Sequence, residues 1–343
     1  MASLAVALAL AGCAAGTRPA HRARAPRTAR GIVRDFALHP AVYEQACFTT
    51  LYAVSDVHGG YARLVALLAR HGLVAAAPAS PGAVAWTGGD ATLVVTGDFV
   101  DRGPDAVAVI DLLQALAMGA AAKHGQVVVT LGNHEAEFLA NAANARAREP
   151  AGFATELLAA RLDPGAVARG EEPRGRWLNE LPLGARIGGW FFAHAGHAKG
   201  RAVPALEQAL RAALQTDGFA SPEVIGPESI LEARNWWEAA PGRAAHDAAA
   251  LGVGHIVMGH SPHALGPPGA IAVGEGGALF RIDVGMSPLV DESAGALLRI
   301  KIEGDDDVAV ELGADGGERE LWRGRRAIRP FVSANQEPSC YRF

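Results

Sequence analysis

Six side chains able to bind a metal ion stand at the ends of short apolar runs in this 343-residue chain: Asp56, His58, Asp98, Asn133, His194 and His260. Asp56 and His58 are two residues apart, so in extended backbone both point to the same side. Taken singly, each has an ordinary explanation. A histidine is commonly a solvated or hydrogen-bonded side chain, a Gly-Asp pair is commonly a turn, and Gly132–Glu135 could be a plain helix start with Asn133 as N-cap. Together, in glycine-flanked loops, they form a mixed carboxylate and imidazole donor set that suits zinc, iron or manganese better than magnesium or calcium. One shared aspartate can serve two ions about 3.5–4 Å apart, the arrangement of two-metal hydrolases. Glycines beside the donors let the backbone turn sharply and let a substrate come close.

The elements that must carry these loops are legible as a rhythm. Phe48–Val54 reads as a strand running into the Asp56 loop, and Tyr61–His71 has helical spacing at Leu64, Leu67 and Leu68. Ala91–Thr96 is a second strand, followed by the Asp98 loop, Pro104 and a helix over Asp105–Met118. Gln126–Leu131 is a third strand, ending at Asn133 and followed by a helix over Ala136–Arg146. Residues 147–185, with Pro150, Pro164, Pro173 and many charges, predict a helical insertion without strands. Trp190–Ala193 and Ile256–Met258 are short strands ending at His194 and His260, with a helix over Val203–Leu214 between them. From Ala278 the pattern turns to β, over Leu279–Val284, Ala296–Ile302 and Val308–Leu312. In open α/β sheets, ligands bind at the carboxyl ends of strands, where all six donors fall.

Composition narrows the classes further. Half of the residues are hydrophobic and a fifth charged, which is globular and not the signature of disorder. Residues 1–34 hold six arginines and no acid; the remainder carries 25 basic and 36 acidic residues, a net charge of −11. So acidic a body excludes nucleic-acid binding by bulk electrostatics. Cys13, Cys47 and Cys340 are too few and scattered for a disulfide framework or a zinc ribbon. After the N-terminus no run of about 18 apolar residues occurs, so the body is expected to have no membrane span.

Residues 1–40 are expected to be a targeting or disordered leader. Leu10–Cys13 resembles a lipobox, although no positive charge precedes the apolar run. A secretory signal, an organellar transit peptide and a two-part plastid leader also fit an apolar run followed by an Arg-rich, acid-free one. A disordered Ala/Arg tail from a GC-rich gene is the plain alternative, with three lysines against 28 arginines in the whole chain. The expected organisation is then a catalytic domain over 41–312, with its helical insertion near 147–185, and a loosely packed tail over 313–343.

The loop sequences resemble a known set. Ser55–Gly60 (SDVHGG), Gly97–Gly103 (GDFVDRG), Gly132–Glu135 (GNHE), His194–Gly196 (HAG) and Gly259–Pro262 (GHSP) are similar to the motifs of the phosphoprotein phosphatases, within the calcineurin-like metallophosphoesterases. Gly175–Pro182 (GRWLNELP) and Ser229–Trp236 (SILEARNW) resemble the Shewanella-like branch. The resemblance implies a four-layer α/β/β/α sandwich, two mixed sheets flanked by helices with a small helical insertion. It implies two divalent or trivalent metal ions (Mn, Fe or Zn): Asp56, His58 and Asp98 on the first, and Asp98, Asn133, His194 and His260 on the second. His134 would be the general acid, oriented by Asp101. Arg102, Arg234 and Asn133 would hold the phosphate. The implied reaction is direct in-line attack by a metal-bound hydroxide on a phosphomonoester. No Cys-x5-Arg nucleophile motif surrounds any of the cysteines.

The chemistry asks for such a set. A phosphate ester is anionic and hydrolyses slowly; two cations neutralise the phosphoryl charge and acidify water, and an acid must protonate the leaving alkoxide. Some positions depart from the family pattern. Ser55 and Ala195 replace common glycines, and Glu232 stands where relatives often carry tryptophan, so it could pair with Arg234 or repel substrate. His197 and His263 are expected to be rim histidines. The expected substrate is a phosphoprotein, on serine, threonine or tyrosine. A small-molecule phosphatase, a dinucleoside polyphosphate hydrolase and an inactive phosphate-binding module are the alternatives.

Overall fold

The computed structural model describes residues 34–75 and 80–327. In chain order the elements are β1 (Val42–Gln45), β2 (Thr50–Val54), α1 (Tyr61–Arg70), β3 (Thr92–Thr96), α2 (Ala106–Ala121), β4 (Gln126–Thr130) and α3 (Asn133–Ala140). Three short helices follow, α4 (Phe153–Ala159), α5 (Pro164–Ala168) and α6 (Pro173–Glu180). Then come β5 (Gly184–Ile187), β6 (Trp190–Ala193), α7 (Val203–Thr216), α8 (Pro222–Ile225), α9 (Arg243–Leu251) and β7 (His255–Met258). The chain continues through β8 (Ala272–Gly274), β9 (Leu279–Arg281), β10 (Ala296–Glu303), β11 (Asp306–Gly313) and β12 (Glu318–Arg325).

One sheet has the order β12-β11-β10-β2-β3-β4 and the other β1-β5-β6-β7-β9-β8. Strands β2, β3 and β4 are parallel, with Val94 opposite both Ala53 and Val128. Their nearly unbroken apolar sequences suit strands covered on both faces. Alternation then sorts the side chains. Ala53, Val94 and Val128 enter the layer between the sheets with Trp190, Phe192, Val257 and Phe280. Leu93 and Val95 point outward into the helix-covered core with Leu64, Leu68, Leu113 and Leu116. On the second sheet Phe191, Ile256 and Met258 join that core beside Leu210 of α7 and Leu251 of α9. The architecture is therefore the expected α/β/β/α sandwich of two mixed sheets flanked by helices.

Several boundaries differ from expectation. The leader expected over residues 1–40 overlaps the body: Phe36 is buried and the Arg34 guanidinium donates to the carbonyls of His39, Pro40, Asn179 and Leu181. Residues 34–40 therefore belong to the body, while the lipobox and signal readings fall on residues outside the described ones. The expected tail after 312 contains β12, antiparallel to β11. Its charges are held in cross-strand ion pairs, Arg299–Glu318 at 2.7 Å and Arg323–Glu303 at 2.8 Å, so the segment is packed. The helix expected over 136–146 spans Asn133–Ala140 instead. Beyond it, Asn141 and Asn144 side chains accept from the backbone of Ala143 and Ala147, competing with helical bonds. The region 147–185 holds α4 to α6, and its last residues enter β5, whose four residues are too few for a sequence signal. Helix α9 carries no expected counterpart; its buried face is Ala244, Asp247, Ala248 and Leu251, too alanine-rich and polar to stand out.

Candidate metal centre and active site

The loops after β2, β3, β4, β6 and β7 meet at one edge of the sandwich. Within each sheet, pairing continues past the strands: His58 N donates to Asp98 O at 2.9 Å, and Gly259 N to His194 O at 2.8 Å. Between sheets the stitching is by side chains. His194 Nδ1 meets Thr96 O at 2.9 Å, and His260 N donates to Asp56 Oδ2 at 3.1 Å. Close approach of the loops needs glycine at Gly259, where a Cβ would overlap the Ser55 hydroxyl and the Asp56 carboxylate.

Asp98 lies at the centre. Its Oδ1 is 3.2 Å from His194 Nε2, and its Oδ2 is 3.8 Å from His58 Nε2 and 3.7 Å from His134 Nε2. Two donor groups share it, each with ligand atoms within 4.8 Å of one another: Asp98 with His194 and His260, and Asp98 with His58 and His134. Asn133 Oδ1 is 3.0 Å from His194 Nε2, which puts it with the first group. Asp56 lies at the margin of the second, its Oδ1 4.0 Å from His58 Nε2 while Oδ2 accepts from the Ser55 hydroxyl and from His260 N. All six expected ligands are buried and drawn together, and His134 comes as near Asp98 as His58 does.

Electrostatics describe a site built for cations. Burial and the neighbouring Asp283 and Asp98 carboxylates push Asp56 well above the usual carboxylate range. Asp98 is opposed by burial, but His194, His134 and His58 hold it well below that range. His194, against its own burial, is raised to about 10 by Asp98 and Asp56, so a proton there takes the place of a cation. Burial, together with positive neighbours, lowers His58 to about 3 and His260 to about 2. Both rings are therefore neutral with a lone pair available, the state that metal ligation requires. Their other nitrogens are fixed, His58 Nδ1 at 3.1 Å from Val100 O and His260 Nε2 at 3.1 Å from Glu232 O. Carboxylates, an amide oxygen and neutral imidazoles fit borderline metals such as manganese, iron or zinc.

The remaining expected residues surround this cluster. Asp101 Oδ2 is 2.8 Å from His134 Nδ1, and its other oxygen accepts from Phe153 N at 2.6 Å, at the start of α4. Arg102 lies close enough to His58 to lower its pKa, and its guanidinium has no hydrogen bond or ion pair among the described residues. Arg234, exposed, donates to His260 O at 3.3 Å and to Ser261 Oγ at 3.1 Å; it does not pair with Glu232. The Glu232 carboxyl instead lies against Glu137 and Asn133, and burial with the Glu137 charge raises it to about 7. His263 is a rim histidine, 67% exposed, but His197 is buried and stacked on Trp236 at 5.0 Å.

Three contributors have no counterpart in the sequence reading. Glu135 accepts from four buried backbone N–H groups, of Asp98, Phe99, Val100 and Gly132, at 2.8–3.0 Å, clamping two loops together. Its place three residues after Gly132, the true N-cap, is the sequence signal that could have revealed it. Asp283 adds a third buried carboxylate beside Asp56. Arg281, fully buried, donates to the carbonyls of Ala264, Ala270, Asp283, Gly266 and Pro267, pinning the loop that follows His260. Finally, Asp56, His58, Asp98, Asp101, Arg102 and His260 all have φ between 45° and 66°, a left-handed conformation that non-glycine residues rarely adopt. Such strain concentrates at functional sites.

Comparison with known proteins agrees with this geometry. Residues 49–281 match the family model of the calcineurin-like phosphoesterases. An uncharacterized protein of Schizosaccharomyces pombe is 42% identical over 87 residues, a quarter (25%) of each chain. The symmetrical bis(5'-nucleosyl)-tetraphosphatase of Cronobacter sakazakii is 35% identical over 109 residues, 32% of this chain and 31% of that one. The chain thus aligns with about a quarter to a third of these curated relatives' length. A cold-active protein-tyrosine phosphatase from a psychrophilic Shewanella species has the same fold, with a TM-score of 0.65 over 89% of both chains at 19% identity. With the matched segment spanning every donor loop, the chain belongs to the calcineurin-like phosphoesterase family.

Proposed function

We propose that this protein is a metal-dependent phosphomonoester hydrolase acting on phosphoproteins. The carrying observation is Asp98 shared between two donor groups beside the His134–Asp101 pair. Asp56, His58 and Asp98 would hold one ion, and Asp98, Asn133, His194 and His260 the other. Bound there, the metals neutralise phosphoryl charge and acidify water. The chain's own groups do the rest. Arg102 and Arg234, beside His58 and His260 respectively, clamp phosphate oxygens with their planar forks. Asp101 accepts from Nδ1 of His134, which leaves Nε2 facing Asp98 and the reacting centre. From that nitrogen His134 delivers the proton that the leaving alkoxide needs.

The second reading, a dinucleoside tetraphosphate hydrolase, draws on the partial likeness to the bacterial tetraphosphatases. The acidic body and the Glu232–Glu137 pair beside Asn133 favour the first, because a polyphosphate chain brings several negative charges to that rim. The test is a manganese-loaded assay of kcat/KM on phosphoserine, phosphothreonine and phosphotyrosine peptides against diadenosine tetraphosphate. Phosphopeptides should be the better substrates by tenfold or more. Preference for the dinucleotide would replace this reading with the second, and turnover of neither would end both.

A further inference from the structure

Between the end of α3 and helices α4 and α5 lies an open cavity of about 530 Å³. Leu139, Ala143, Leu158, Pro164 and Ala168 give it an apolar lining, and Leu158 is 64% exposed. Three charged residues also line it. Asp163 is spent on capping α5 through Gly165 N at 2.9 Å, and Arg169 is paired with Glu171 at 2.7 Å. The guanidinium of the third, Arg148, has no hydrogen bond or ion pair among the described residues. The uncommitted charge of this apolar cavity is therefore positive.

The cavity shares its walls with the candidate active site. Helix α3 starts at Asn133 and His134 and lines the cavity from Leu139, five residues or roughly 7–8 Å along the axis. Helix α4 gives Phe153 N to Asp101 and, one and five residues on, Ala154 and Leu158 to the cavity. The intervening loop carries Arg146, bound to Glu137 at 2.9 Å, and then Arg148. An extended peptide advances about 3.3–3.6 Å per residue, so two to four residues of a bound chain cover the stretch of α3 between His134, beside Asp98, and Leu139 at the cavity.

We propose that this cavity is a substrate-docking pocket, which receives an apolar side chain of the phosphoprotein two to four residues from the phosphorylated one, with an adjacent acidic residue paired to Arg148. The class of occupant rests on the phosphoprotein reading above. Burial of one leucine side chain and one opposite-charge contact are together worth tenfold or more in apparent affinity.

The experiment uses the full chain loaded with manganese. Matched phosphopeptides carry Leu-Glu, Ser-Glu or Leu-Lys three residues before or after the phosphorylated residue, with p-nitrophenyl phosphate as a substrate too small to reach the cavity. Wild type should favour one Leu-Glu peptide over its Ser-Glu counterpart by tenfold or more in kcat/KM. Leu158→Glu should remove that preference, and Arg148→Glu should reverse the Glu-over-Lys preference. Both variants should leave turnover of p-nitrophenyl phosphate within twofold and Tm within 2 °C; both positions are exposed, so folding is preserved. Equal rates on Leu-Glu and Ser-Glu peptides at both positions would overturn the docking pocket. So would variants that leave the preference intact, or light scattering showing that Leu158→Glu dissociates a dimer of this chain. Failure to hydrolyse p-nitrophenyl phosphate would instead overturn the phosphatase reading itself.

Discussion

Asp101 holds two things at once: one carboxylate oxygen sits 2.8 Å from Nδ1 of His134, and the other accepts from the amide of Phe153 at 2.6 Å. The imidazole is thereby fixed in orientation, and its support is tied to the first turn of the helical insertion. The insertion is therefore part of the active-site scaffold.

His134→Asn is expected to lower kcat by about 10²–10⁴, the range for loss of a general acid, with metal content unchanged. Asp101→Asn should lower kcat by about 10–100-fold, as for loss of an orienting partner. Steady-state kinetics with elemental analysis check both. Wild-type turnover in His134→Asn would remove that residue from the proton-transfer role.

Asp98→Asn is expected to impair both metal sites, because Asp98 alone belongs to both donor groups. Elemental analysis should fall from about two ions per chain to below one. A variant that keeps two ions tightly bound would show that the carboxylate is not shared.

Glu135→Ala should destabilise the fold by about 3 kcal/mol or more, since four buried N–H donors lose their acceptor. Denaturant unfolding measures this. A loss below about 1 kcal/mol would mean that water replaces the carboxylate.

Glu232→Gln should raise kcat/KM for dianionic substrates by a few-fold at low salt and above about pH 8, where the Glu232 carboxyl is charged, because it takes that negative charge from the rim beside Asn133. The gain should shrink as salt is raised. A fall in activity at every ionic strength would assign Glu232 to holding Asn133 instead.

Chelation should abolish activity, restorable by manganese, and lower Tm by linkage, since ions that bind only the folded state stabilise it. Differential scanning calorimetry with and without chelator reads the second effect independently of turnover. Unchanged Tm and full activity after exhaustive chelation would contradict a metal centre.

Much of the fold was readable because period and punctuation agree. The apolar runs at Thr92–Thr96 and Gln126–Thr130, each ending in glycine and then a polar loop, could be little else than buried parallel strands. Where local signals were weak, reading stopped short. Strand β12 reads as part of a loosely packed tail because the partners of its charges, Glu303, Glu311 and Arg299, lie on other strands. Buried His197 looked like a rim histidine because Trp236 and Asp247, which enclose it, are distant in sequence.

By itself the sequence determined the donor types, their order and their placement at strand ends, since these follow from residue identity and short-range periodicity. Only the tertiary structure decided that His134 comes as near Asp98 as His58 does, that Glu135 clamps the loops and that Glu232 turns toward Asn133 and Glu137, away from Arg234. Those outcomes depend on the packing of one sheet against another, and on left-handed turns at non-glycine residues that no local preference specifies.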